Sequence, residues 1–309
     1  MIPYVLKLIT PPLSEKDTDT VVTRVMGRAS DVSGHDQSQV VEKGLPSAVL
    51  HEFSLDFFSP QEAETFRTEL WQEVLSDSWQ GPAPFAISFL PKSVAECAKK
   101  LAVFDMDSTI IDQEVIDELA RAFNLGDRVA EITEAAMQGR IDFQESLRER
   151  CLLLAGMPFA KAASIIPGLT VSPGGAELIR FLKSQSVRTA IVSGGFDFVL
   201  KHFQGLLGVD EIHAHHLLRD ASDVLTGEVA EPIIDAEGKR ALVAQMKQTH
   251  GIRREETITV GDGANDLLMM NEAGMSVSFC GKPKLSAIAN TLILQRNLLW
   301  LKVVLNRLH

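Results

Sequence analysis

The sequence predicts an α/β protein: a doubly wound parallel sheet interrupted by a helical insertion and preceded by a small α+β region. Three observations carry this reading. From Lys99 onward, short continuous apolar runs (LAVFD, TAIVSGG, TITVGDG) end in Asp, Ser or Gly and lead into helical patterns, as strands buried on both faces of a parallel sheet do. Between the first two runs lie some eighty residues of mainly helical pattern, too many for a plain crossover. Before Lys99 the texture is different, with alternating rather than continuous apolar runs.

Taken in order, VLKLIT is strand-like and residues 16 to 30 suit a polar helix. SDVSGHDQSQVVEKG, rich in Ser, Asp and Gly, reads as loop or poorly formed strand. Val49, His51, Phe53, Leu55 and Phe57 alternate with mostly polar neighbours, which predicts a half-buried strand. Ser59 and Pro60 open a helix that places Ala63, Phe66, Leu70 and Val74 on one face, and FAISFL is a further strand. MSVSF and TLIL continue the series of buried strands after the three main runs, and the segment from Thr291 predicts a last strand and helix packing the sheet's edge.

The bulk numbers exclude several classes. A formal charge of −11, with no run of Lys or Arg, repels nucleic-acid phosphates, so no nucleic-acid partner is expected. The apolar stretch LLWLKVVL falls short of the roughly 20 residues that a membrane span needs, and MIPYVLKLITPP has too short an apolar run for a secretory leader. Cys97, Cys151 and Cys280 form neither a disulfide framework nor a CxxC pair. A cytoplasmic protein without a membrane partner is the expectation.

Function should sit at the strand ends. Asp105 and Asp107, two residues apart just past a buried strand, put like charges close together, and Mg²⁺ is the natural cation to separate them. Ser193-Gly194-Gly195 offers a hydroxyl and free backbone N–H groups before a helix, an anion site. The third loop, Gly261 to Asp266, adds Asp262 for the metal and the Asn265 amide, while Lys239 could aim a cation at phosphate.

The insertion carries its own signals. In DQEVIDELARAF, Val115, Leu119, Ala122 and Phe123 share a stripe with Glu114 beside it, either an exposed helix-start acid or a ligand-binding one. A second helix starts at Asp142, with Glu145 at capping-box spacing and an apolar face of Phe143, Leu147 and Leu154. Arg150 falls on that face, where it either snorkels to water or meets an anion. In HAHHLL, strand alternation sends His215 and His216 to opposite faces, so no metal site is expected there.

Together DMDST, VSGG, Lys239 and GDGAND resemble the four motifs of haloacid dehalogenase-like hydrolases, over residues 99 to about 290. The insertion is most similar to the cap of the phosphoserine phosphatases among them. The resemblance implies a Rossmannoid core with a helical cap and Mg²⁺-dependent hydrolysis of a small phosphate ester, phospho-L-serine, in the last step of serine biosynthesis. It implies Asp105 as nucleophile, Asp107 as general acid and base, and Mg²⁺ on Asp105, the Asp107 carbonyl and Asp262. Ser193, Gly194, Lys239 and Asn265 would hold the phosphoryl oxygens, with Asp266 steadying Lys239. Glu114 would take the substrate ammonium and Arg150 its carboxylate, while Met137 and Phe143 close over the site. Another phosphomonoesterase or a phosphomutase remains the alternative, because the motifs fix the phosphoryl chemistry and not the leaving group.

The element order before Lys99 resembles an ACT-like domain. The expected division is therefore an ACT-like regulatory or dimerisation domain at 1–95 and a phosphatase domain at 96–309, with the cap at about 112–170. A homodimer, or an amino-acid effector on the first domain, is left open by the sequence.

Overall fold

In the computed structural model of the protein, residues 1–27, 29, 31–76, 83–138 and 140–306 are described, with the side chains of Glu15 and Met137 outside that set. The strands run in chain order as β1 (Ile2–Thr10), β2 (Asp31–Val40), β3 (Ala48–Phe57), β4 (Ala86–Pro91), β5 (Leu101–Phe104), β6 (Arg188–Phe196) and β7 (Glu211–His215). They continue as β8 (Leu217–Arg219), β9 (Leu225–Val229), β10 (Thr257–Gly261), β11 (Met275–Phe279) and β12 (Thr291–Ile293).

Ten strands form one sheet in the order β2-β3-β1-β4-β12-β11-β10-β5-β6-β7. From β12 to β7 every pairing is parallel. From β2 to β12 every pairing is antiparallel. In the parallel half the chain starts at β5, winds out through β6 and β7, then returns to β10 on the other side. The switch between β5 and β10 opens a crevice at the strands' carboxyl ends.

The antiparallel half has the β-α-β-β-α-β order expected of the ACT-like region, with helices Glu15–Met26 and Pro60–Val74. Ser59 caps the second helix by accepting the Glu62 N–H at 3.1 Å, and Phe66, Leu70, Trp71 and Val74 bury its inner face. Two expectations need correction. The polar stretch read as loop or weak strand is the ten-residue edge strand β2, held by its ladder to β3 rather than by apolar burial. The strand at Thr291 does not close the sheet's edge, because β12 lies inside it, between β11 and β4.

That position joins the two halves. Ser88 and Thr291 face each other across the β4–β12 ladder with buried hydroxyls 2.8 Å apart. Arg67 and the Trp71 indole donate to the Ala289 carbonyl, and Lys7 donates to the carbonyls of Val304 and Asn306. The insertion folds as helices Val115–Ala122, Gly126–Met137, Phe143–Leu152 and Phe159–Ala163. A β8–β9 hairpin, not anticipated from the sequence, packs on it, with Gly227 tight against Leu152 and Ala155. Among the described residues, no helix is long and apolar enough to cross a membrane.

Candidate active site

Asp105 directly follows β5 and is buried at the switch point. Its Oδ1 accepts the Met106 N–H at 2.7 Å and faces the Lys239 ammonium at 2.7 Å, while Asn265 Nδ2 donates to Oδ2 at 3.2 Å. Lys239 reaches it from the second turn of helix Ala236–His250, whose N-cap Asp235 accepts the Gly238 N–H. The other side of the ammonium is held by Asp266 Oδ1 at 2.8 Å. Asp266 Oδ2 accepts the N–H groups of Asp262 and Gly263, both at 3.1 Å. Gly261 permits this turn, since a Cβ there would lie 2.3 Å from Asp266 Oδ2.

Asp107 follows in a wide turn, Met106–Ile110, in which Ser108 takes φ 55°. Its Oδ1 accepts the Val115 N–H at 2.9 Å, and Ser193 Oγ lies 3.4 Å from Oδ2. Ser193, at the carboxyl end of β6, also accepts the Gly195 N–H at 2.8 Å. The Ser108 hydroxyl donates to Glu114 Oε1 at 2.8 Å, and Arg296 from the C-terminal segment donates to the Ser108 carbonyl and to Asp112.

The electrostatics are those of crowded carboxylates. Burial, then Glu114 and Asp105, pushes the Asp107 carboxyl up to about 8. Burial, then Asp105, pushes Asp262 up to about 6. Burial alone would depress the Lys239 ammonium, but Asp105 and Asp266 outweigh it and hold its pKa above the ordinary lysine value. Oxygens of Asp105, Asp262 and Asp266 all come within 4.8 Å of one another. Asp266 is occupied by Lys239 and two amides, so Asp105 and Asp262 are the carboxylates left for a cation. An all-oxygen donor set of this kind fits a hard divalent ion.

The model of the haloacid dehalogenase-like hydrolases matches residues 99–274, more than half of the chain. The chain belongs to this family. It is 40% identical over 205 residues to the probable phosphoserine phosphatase of Schizosaccharomyces pombe, covering 66% of this chain and 69% of that protein. It is 40% identical over 215 residues to the phosphoserine phosphatase of Archaeoglobus fulgidus, covering 70% of this chain and 62% of that one. Among solved structures, a HAD family hydrolase of Salmonella enterica subsp. enterica serovar Typhi matches 98% of both chains, with a TM-score of 0.81 at 24% identity. That last likeness extends the shared fold to the N-terminal half.

Over the strand ends of this hydrolase, the cap encloses a cavity of about 240 Å³. Asp105, Asp107, Glu114, Phe143, Arg150, Gly194, Asp262 and Asn265 all line it. Asp142 caps the helix Phe143–Leu152 by accepting the Glu145 N–H at 2.8 Å, which sets Phe143 and Arg150 two turns apart over the cavity. Phe143 lies close enough to Gly194 that a Cβ there would sit 3.2 Å from its ring. The Arg150 Nε donates to the Ser146 carbonyl at 3.1 Å, and among the described residues the guanidinium has no ion-pair partner. Burial lowers its pKa. Met137 is the expected site residue whose side chain lies outside the described residues.

Sequence reasoning passed over Ile116, Leu147, Phe196 and Lys282 as lining residues. Lys282 Nζ lies 3.8 Å from Asp262 Oδ2 and adds a cation to the cavity. The run CGKP that carries it holds no periodicity to mark it out. The three histidines of HAHHLL go to different partners: His213 near Glu211, His215 to Gly194 and Ile234, His216 to Asp197.

Proposed function

We propose that this hydrolase cleaves O-phospho-L-serine to serine and phosphate, with Mg²⁺ on Asp105, Asp262 and the main-chain carbonyl of Asp107. The observation that carries the substrate is the pair Glu114 and Arg150, an acid and a base in one cavity with Asp105. They offer complementary charges to the ammonium and carboxylate of serine. The relatives' names point the same way.

Bound there, Mg²⁺ supplies positive charge against which carboxylate and phosphate dianion can approach. The Asp105 carboxylate attacks phosphorus in line, forming an aspartyl phosphate as the serine oxygen departs. Asp107, whose raised pKa keeps a proton near neutral pH, gives that proton to the leaving oxygen. It then takes one from the water that splits the acyl phosphate. Lys239, Ser193, Asn265 and the Gly194 N–H hold the phosphoryl oxygens. Asp266 aims Lys239. Phe143 covers the serine side and excludes water.

We also propose residues 1–95 as a regulatory or dimerisation unit and the cytoplasm as the compartment. The test of the main reading is phosphate release over a panel of phosphorylated metabolites with Mg²⁺. Phosphoserine should give the highest kcat/KM, and excess EDTA should abolish it. A different ester preferred by tenfold would reject serine while leaving the phosphoryl chemistry standing, whereas full activity in EDTA would reject the metal.

A further inference from the structure

The histidine cluster contains a group that the reaction scheme leaves unused. His215, at the end of β7, is 1% exposed. Its Nδ1 lies 3.0 Å from the Gly194 carbonyl, and its Nε2 lies 2.6 Å from the Ile234 amide. The carbonyl can only accept and the amide can only donate, so the ring is neutral, with its proton on Nδ1. Both partners matter to the anion site. Gly194 sits in the loop whose Gly195 N–H donates to Ser193 Oγ. Ile234 immediately precedes Asp235, the N-cap of the helix that carries Lys239. The cap leans on the same two segments, through Phe143 against Gly194 and Gln144 Nε2 to Asp235 Oδ2 at 2.8 Å.

We infer that His215 is a positioning residue for phosphoryl recognition: one imidazole spans the Ser193–Gly195 loop and the start of the Lys239 helix and fixes their separation. By turning the Gly194 carbonyl away from the cavity, it also fixes the peptide groups of the loop toward the phosphoryl oxygens. The inference rests on the reading of that loop and Lys239 as the phosphoryl site. Burial lowers the His215 pKa, in keeping with a ring held neutral.

An isosteric pair tests this. His215→Asn keeps an N–H close to the position of Nδ1, and His215→Leu has the same shape without a donor. Loss of loop position by a fraction of an ångström to an ångström costs up to about 100-fold in rate. The leucine variant should therefore lose about 10- to 100-fold in kcat/KM. Its calorimetric Kd for inorganic phosphate, with Mg²⁺ present, should weaken. The asparagine variant keeps the bond to Gly194 and loses the one to Ile234, so its losses in both should lie between those of wild type and the leucine variant. Rates are read with both phosphoserine and p-nitrophenyl phosphate. A wild type that ignores phosphoserine then rejects the substrate, while the p-nitrophenyl phosphate and phosphate-binding arms still judge His215. Equal phosphate affinity and kcat/KM in the two variants, with only Tm reduced, would assign His215 a purely structural role and overturn the inference. Should the leucine variant not fold, His215→Asp takes its place, with an acceptor where the donor stood.

Discussion

The two halves of the sheet bury polar groups in opposite ways. In the parallel half, Asp105, Lys239 and Asp266 are fully enclosed, and the Lys239 ammonium pairs with both carboxylates, at 2.7 and 2.8 Å. In the antiparallel half, His51 is 0% exposed and stacks on His35 at 5.8 Å between ring centres, and among the described residues neither ring nitrogen has a hydrogen-bond partner. A buried charge network is costly unless every member is satisfied, and here it sits where chemistry needs it. A buried imidazole without a partner costs stability even when neutral, and far more if it takes up a proton. The difference teaches a division of labour: changes to the charged residues at the parallel strands' ends should alter turnover more than stability, and changes to the buried polar groups of the antiparallel half and its joint should do the reverse.

The hardest test of that division is Asp105→Asn. An amide cannot form an acyl phosphate, so kcat should fall by at least about a thousandfold. The Tm should stay within a few degrees, since Lys239 keeps Asp266 as its partner. Mass spectrometry after brief exposure to phosphoserine should find the phosphoenzyme in wild type and none in the variant. Retention of more than about a hundredth of the rate would remove Asp105 from the nucleophile's role.

Next in size are the two charges of the cap. Removing one member of a desolvated pair costs about 2 to 5 kcal/mol, or roughly 30-fold to several thousandfold. Arg150→Ala should lower kcat/KM for phosphoserine by that range and barely touch phosphoethanolamine, which lacks the carboxylate. Glu114→Gln should hurt phosphoserine and spare esters that carry an acid and no amine. With p-nitrophenyl phosphate both variants should match wild type. Equal losses on every substrate would turn the pair into a device for cap closure.

The division also explains what could be read from the sequence. The parallel strands declare themselves because burial on both faces demands continuous apolar runs, and the site residues declare themselves because carboxylates and glycines interrupt those runs at their ends. Asp105, Asp107, Ser193 and Asp262 were legible for that reason, whereas Lys239, in a helix before the third strand, was legible only beside the other motifs. The joint between the halves was not, since β12 has three residues, too few to show any period, and its antiparallel partner lies some two hundred residues earlier. β2 was obscured because an edge strand held by backbone ladders needs no apolar pattern. Lys282 reaches Asp262 only through the turn after β11, a tertiary fact without a local signature.

A smaller effect should separate the halves by pH. Burial, then His35, depresses the His51 pKa from 6.5 to about 4. As pH falls below 6.5 the unfolded chain takes up a proton that the folded chain refuses, so this contribution is intact above about pH 6.5 and is lost as pH falls toward 4. The shift corresponds to at most about 3 kcal/mol. His51→Leu should flatten the acid decline of Tm relative to wild type and leave kcat/KM at pH 7 unchanged. An identical decline in both proteins would place the acid sensitivity elsewhere.

The smallest effect probes the joint itself. Ser88→Ala removes one hydroxyl of the buried 2.8 Å pair and leaves Thr291 Oγ1 without that partner. An orphaned buried hydroxyl costs about 1 to 3 kcal/mol, which in a chain of this size amounts to a few degrees of Tm. Turnover should not change, because β12 and β4 contribute no residue to the cavity. The double variant Ser88→Ala/Thr291→Val removes both polar groups at once and should recover most of the lost stability, since replacing both partners by apolar groups of similar shape is nearly neutral. If instead kcat/KM falls in the single variant and returns in the double, the ladder between the halves helps set the geometry of the crevice, and the antiparallel half takes part in catalysis.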